Sequence, residues 1–134
     1  MSDTVLFELV SPAKLLLSEE VEMVVVPGGE GDFGVLPGHT PMLTTVRPGI
    51  IDIYENDKVV KSIFVVGGFA EVSEERCAVL AEEAIAVDEL DRDNAEARLQ
   101  KATDALNAAE SDVAKQAAER ELRAAEAMVA ACDA

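Results

Sequence analysis

The chain has 134 residues, 49% of them hydrophobic, which is enough for one ordinary domain or for a small domain with an appendage. Its formal net charge of −16 leaves no basic patch in either half, since the residues through Asp88 carry −11 and those beyond carry −5, and this argues against direct binding of nucleic acid or anionic lipid. Aromatic residues amount to 4%, with no Trp and a single Tyr, so base stacking and an aromatic-lined ligand pocket are also disfavoured.

The first 88 residues read as short strands separated by turn signals. Val5–Val10 is rich in β-formers and stops at Ser11-Pro12. Residues 21–26 alternate and then run apolar before Pro27-Gly28-Gly29, and Met42–Val46 ends at Arg47-Pro48-Gly49. Gly49–Glu55 and residues 58–66 flank Asn56-Asp57, two residue types that tolerate positive φ and so predict a tight hairpin. Residues 69–73 and 76–82 flank Glu74-Glu75 as a second hairpin. Short strands with a turn about every eight to twelve residues predict an all-β sandwich or barrel.

From Val87 the pattern changes. Glycine and proline are absent through Ala134, and 15 of the 46 residues after Asp88 are alanine, which favours helix. Asp88 is the expected N-cap, with Asp91 in the capping-box position. Ala95, Leu99, Ala102, Leu106 and Ala109 form one narrow apolar stripe, and Ala118, Leu122, Ala125 and Val129 form a second. The stripes are out of phase, so the expectation is a helical hairpin turning near residues 108–112, with Ser111 capping the second helix. Small stripe residues bury little area, and the tail is expected to be the less stable part. The resulting division is a β domain over residues 1–87 and a hairpin over 88–134.

Chemistry-bearing patterns are few. Gly29-Glu30-Gly31-Asp32-Phe33-Gly34 matches G-x-G-x-x-G, but Pro37, Gly38 and Pro41 forbid the helix that a dinucleotide site needs, and Glu30 and Asp32 would repel phosphate. The segment from Gly28 to Pro41 therefore reads as an exposed recognition loop on a β scaffold, or as a purely structural one. His39 is the single histidine and has no partner for a metal site or a nucleophilic triad. Glu82 and Glu83, adjacent on a strand, would point to opposite faces. Cys77 and Cys132 lack zinc or disulfide spacing and read as reduced thiols. The expectation is a protein without catalytic residues, metal or cofactor. Residues 1–9 lack signal-peptide character and no run approaches the roughly 18 apolar residues of a membrane span, so neither export nor insertion is expected.

The chain resembles the epsilon subunits of bacterial F-type ATP synthases, equivalent to the mitochondrial delta subunit. The resemblance is carried by Pro27-Gly28-Gly29-Glu30-Gly31-Asp32-Phe33-Gly34-Val35-Leu36-Pro37-Gly38-His39-Thr40-Pro41, then Arg47-Pro48-Gly49, then Gly67-Gly68-Phe69-Ala70-Glu71-Val72. Val79-Leu80-Ala81-Glu82 and the two-helix tail agree with it. It implies a sandwich of about ten strands, an antiparallel hairpin of two helices, and a place in the central rotor at the cytoplasmic face of the inner membrane, peripheral to it. It further implies that Asp32, with Glu30, Phe33 and His39, faces the membrane c-ring, while Arg47, Gly67, Gly68, Phe69 and Glu71 face the gamma subunit. Contacts with the alpha and beta subunits would come through the tail.

Two regulatory properties of the family fit this sequence poorly. The family's ATP motif reads here Leu90-Asp91-Arg92-Asp93-Asn94-Ala95, with Asn94 where an arginine belongs, so weak or absent ATP binding is expected. The tail's bases, among them Arg98, Lys101, Lys115, Arg120 and Arg123, are outnumbered by acids, so its docking on acidic catalytic subunits to inhibit hydrolysis is expected to be weak.

Overall fold

Alternation of buried and half-exposed side chains from Val5 to Val10 makes the first strand, β1 (Val5–Val10), and nine more follow in a computed structural model that describes residues 3–133. They are β2 (Leu15–Val21), β3 (Met23–Gly28), β4 (Gly31–Val35), β5 (Met42–Val46), β6 (Gly49–Glu55), β7 (Lys58–Val65), β8 (Gly68–Val72), β9 (Arg76–Ala81) and β10 (Ala84–Ala86). One sheet runs in the order β10-β7-β6-β3-β5-β8-β9-β1-β2, with β4 paired to β3 off this path. It folds over into a sandwich around a core that includes Val5, Phe7, Val24, Ile51, Ile53 and Val79. Each such side chain contributes about 1.5–3 kcal/mol on full burial. Strand β1 lies parallel to β9, which places the start of the chain beside the end of the domain.

The two expected hairpins are present. Asn56 and Asp57 both take positive φ, at 54° and 63°, and join β6 to β7. At the β8–β9 turn the Ser73 amide donates to the Arg76 carbonyl at 2.8 Å. Residues 21–26 are not one strand, because Val21 and Val24 are both buried although three positions apart. An odd spacing reverses the face, so the chain bends at Glu22, whose carboxylate accepts from the Asn56 amide at 3.1 Å. Strands β2 and β10 escape a reading by alternation: β2 is mostly exposed and β10 is three residues long. The segment after Gly28 is also not all loop, since Gly31–Val35 is a strand.

The tail forms a second unit, Val87–Ala134, separate from Met1–Ala86. Asp88 lies in a short 3-10 turn, Val87–Glu89, and does not cap the helix. The cap is Asp91, whose carboxylate accepts from the Asp93 amide at 2.9 Å, so α1 spans Arg92–Ala108. Ser111 caps α2 (Asp112–Cys132) as expected, accepting from the Ala114 amide at 3.1 Å. Arg92 pairs with Asp133, and Arg98 pairs with Glu121, so the start of α1 lies beside the end of α2 and the helices are antiparallel. Every buried residue of both helices is an alanine: Ala95 and Ala102 in α1, and Ala118, Ala124, Ala125 and Ala131 in α2.

Two residues give direct tests of this packing. Gly68 has φ 127°, and a Cβ there would fall on the Leu80 carbonyl oxygen of the neighbouring strand. Gly68→Ala should therefore lower stability by more than about 2 kcal/mol, measured by denaturant titration. Burial pushes the Cys77 thiol from 9.0 up to about 12. The unfolded chain releases this proton first, so the folded state loses stability as pH rises from 9.0 towards 12. This contribution approaches about 1.4 kcal/mol per pH unit, and a parallel titration of Cys77→Ala should lack it.

Candidate docking site

The glycine-rich segment is a β-hairpin tip. Strands β3 and β4 pair in antiparallel register, with Gly28 opposite Gly31, Pro27 opposite Asp32 and Val26 opposite Phe33, leaving Gly29-Glu30 as the exposed turn. A Cβ on Gly28 would meet the Gly31 carbonyl oxygen at 2.7 Å and the Phe33 ring at 2.9 Å, so the turn closes only with glycine there. Alternation along β4 then sends Asp32 outward and turns Phe33 inward against the core.

The tip is fastened to β5 and the corner after it. The Gly29 amide donates to the Thr45 carbonyl and the Arg47 amide to the Pro27 carbonyl, each at 2.9 Å. The Arg47 guanidinium donates through Nη1 to the Gly28 carbonyl at 2.6 Å and through Nη2 to Asp32 Oδ1. Asp32 and Arg47, assigned by resemblance to different partners, thus form one ion pair, with side chains 61% and 43% exposed. Among the described residues the Glu30 carboxylate has no hydrogen-bond or ion-pair partner.

His39 does not join them. It lies beyond the end of β4, in a turn where its amide donates to the Leu36 carbonyl at 3.2 Å and Gly38 takes φ 84°. The Gly38 amide donates to the Glu74 carbonyl at 2.7 Å, which holds the His39 loop against the β8–β9 turn. His39 Nδ1 donates to the Thr40 carbonyl at 2.7 Å, an arrangement that puts the proton on Nδ1.

Phe69 and Glu71 lie on the outward face of β8, while Ala70 and Val72 face the core. The registers place Thr45, Phe69, Leu80, Val10 and Leu15 in one row across β5, β8, β9, β1 and β2. Phe69, Leu80 and Leu15 are each more than half exposed, at 56%, 54% and 55%. The adjacent row holds Leu43, Glu71, Ala78, Glu8 and Ser18. Sequence reading found Phe69 but missed Leu80, although the unbroken apolar run Cys77-Ala78-Val79-Leu80-Ala81 signals a strand that is apolar on both faces. Gly67 and Gly68, with φ 144° and 127°, start β8 and shape its backbone.

In the tail, the residues of the ATP-like motif do not line the cleft between α1 and α2. The Asp91 carboxylate is spent on the helix cap, Ala95 is buried, Asn94 is exposed and Leu90 is half-buried. Arg92 donates to Glu96 and Asp133. An open cleft of about 550 Å³ between α1 and α2 is lined by Arg98, Lys101 and Glu121 with three alanines, but Arg98 is already engaged by Glu121 at 3.2 Å. Among the described residues no group of three or more His, Cys, Asp or Glu side chains is placed to hold a metal ion. Among the same residues no helix is long and apolar enough to cross a membrane.

The chain thus combines a sandwich bearing an anchored carboxylate tip and an apolar outer row with a helical hairpin. A family model described as the beta-sandwich domain of the ATP synthase Delta/Epsilon chain matches residues 4–87. The ATP synthase epsilon chain of Paramagnetospirillum magneticum is 61% identical over 131 residues, covering 98% of each chain. That of Rhodospirillum rubrum is 54% identical over the same length and coverage. The fold also matches a chain in the mitochondrial ATP synthase of Euglena gracilis, with TM-score 0.81 and 25% identity over 98% of this chain and 82% of that one. A chain of the Tetrahymena thermophila mitochondrial ATP synthase central stalk and c-ring shares the fold at TM-score 0.72 and 16% identity, with 96% of each chain covered. The chain belongs to the ATP synthase delta/epsilon chain family, the non-catalytic subunits of the F-type central stalk.

Proposed function

We propose that this chain is a rotor coupling element that seats the c-ring and the gamma subunit on two parts of one β-sandwich. Residues 1–87 carry these surfaces and 88–134 form a separate helical hairpin. The hairpin tip, with Glu30 and Asp32 outermost, takes the polar loops of the ring, and Phe33 supports it from inside. The outer face of β8, with Phe69 and Glu71, takes gamma, and the apolar row through Leu80 extends that surface. The supporting observation is that β5 serves both: outward Thr45 lies in the apolar row, and its carbonyl receives the tip amide of Gly29 at 2.9 Å. Torque entering at one surface reaches the other through the sheet's hydrogen bonds. The subunit works peripherally at the cytoplasmic face of a bacterial inner membrane, held there by protein partners.

Affinity purification of the tagged full chain should recover gamma and the catalytic head. Phe69→Glu, at an exposed position, should leave the thermal melt unchanged and sharply reduce gamma recovery. Recovery of the wild-type chain alone, or an undiminished yield with Phe69→Glu, would refute this assignment.

An alternative reading is a nucleotide-sensing module that inhibits hydrolysis through the helices. The tail's chemistry weighs against it, since Asp91 caps α1 and Asn94 brings no cation to a triphosphate. Calorimetry should detect no ATP-selective binding to the full chain, while Asn94→Arg tests how near the site lies to function. Deleting residues 89–134 should leave the ATPase rate of the assembled complex within about twofold, because an acidic tail docks poorly on acidic surfaces.

A further inference from the structure

The geometry points to Arg47 as the positioning residue of the ring-facing tip: it clamps β3 to β4, masks the charge of Asp32, and leaves Glu30 as the free carboxylate that meets the partner. This inference rests on the ring assignment above and specifies how that surface works. Both ends of the Arg47 residue are committed to the tip. Its main-chain amide donates to the Pro27 carbonyl at 2.9 Å, while its guanidinium donates to the Gly28 carbonyl at 2.6 Å and to the Asp32 carboxylate. The two side-chain acceptors lie on different strands, Gly28 closing β3 and Asp32 near the start of β4. A planar fork reaches the two acceptors from two separate nitrogens, whereas the three donors of a lysine ammonium all radiate from one.

The consequence for recognition follows from charge. Asp32 and Arg47 together are close to neutral, so Asp32 offers a partner its second oxygen as an acceptor with little net charge. Glu30 stands at the turn between Gly28 and Gly31, exposed and without an intramolecular cation. Basic loop residues of a ring would thus be attracted by Glu30 and oriented by the rigid tip behind it. Arg47, with Nη1 and Nη2 both directed at the tip, is withdrawn from the gamma-facing set in which the resemblance places it.

Two measurements test this on the full-length chain. Amide exchange on the free protein reports the clamp alone. Arg47→Ala should speed exchange at Gly29 and at the residue-47 amide while leaving β8 and β9 unchanged, and Arg47→Lys should restore little of the protection. Titration of the chain, combined with gamma, against detergent-solubilised c-ring reports docking. Arg47→Ala and Asp32→Ala should each weaken binding roughly three- to tenfold, with the double variant no weaker than either alone. The double variant, which removes a neutral pair, should keep the wild-type salt dependence, and Glu30→Gln should flatten it. Unchanged exchange in Arg47→Ala would overturn the clamp. Tighter ring binding by Arg47→Ala would overturn the proposal in the opposite sense, since it would show that Asp32 acts as a charge Arg47 merely screens. A wild-type chain that ignores the ring would refute the ring assignment and the docking role built on it, while the exchange result would still decide the clamp.

Discussion

The hydrogen bond from the Gly29 amide to the Thr45 carbonyl, with its companion from the Arg47 amide to the Pro27 carbonyl, sets where the outer surfaces of the sandwich stand. The first half of β3 is paired to β6, but without these two bonds its outer half and β4 would project as a two-stranded arm, which is marginal in water. With them the arm becomes part of the sheet, and Gly28 pairs directly with Val46. Glycine at the closure is required by the same constraint. A side chain at Gly28 would collide with Phe33, and one at Gly29 would meet the Thr45 hydroxyl. What looks like flexibility in the composition is close packing in the fold.

The two units differ in what holds them. The sandwich buries branched and aromatic side chains, among them Phe7, Leu9, Ile51 and Ile53, at 1% exposure or less. The helices bury only alanine, and a methyl-sized group contributes about 0.8 kcal/mol. Their cross-helix ion pairs are too exposed to make up the difference, because surface pairs contribute about 0–1 kcal/mol. Local opening therefore favours the hairpin over the sandwich. A rigid body for transmitting torque and a tail of low internal stability are consistent with the division of labour proposed for them.

Much of this was legible in the residues. Asn56-Asp57 specified its hairpin because few residue types accept two positive φ values in succession. Ser111 was recognisable as a cap because the apolar stripe changes phase across it. The misses have equally local causes. Asp88 and Asp91 are both good caps by type, and only the 3-10 turn over Val87–Glu89 decides for Asp91. Strand β4 was hidden by Gly31 and Gly34, which lower β propensity although pairing with β3 supplies the hydrogen bonds. The Asp32–Arg47 pair was illegible for a different reason: the residues are fifteen apart in sequence, and only the register of β3, β4 and β5 brings them together.

That register also explains why composition alone misleads about charge. Counted along the chain, the tip carries two carboxylates, Glu30 and Asp32, and an acidic loop is the natural reading. In the fold one of them is engaged by Arg47 and the other is not, so the outward charge of the tip is about half its formal value. The pair on the outer sheet face follows the same logic, since Arg76 engages Glu8 across the parallel β9–β1 register beside the exposed Leu80 row. Pairing an acid next to an apolar row lowers the desolvation penalty that a bare carboxylate would impose on a docking partner. Pairing of this kind lowers the charge that an acidic protein shows beside its apolar row and leaves Glu30 as the unpaired carboxylate of the tip.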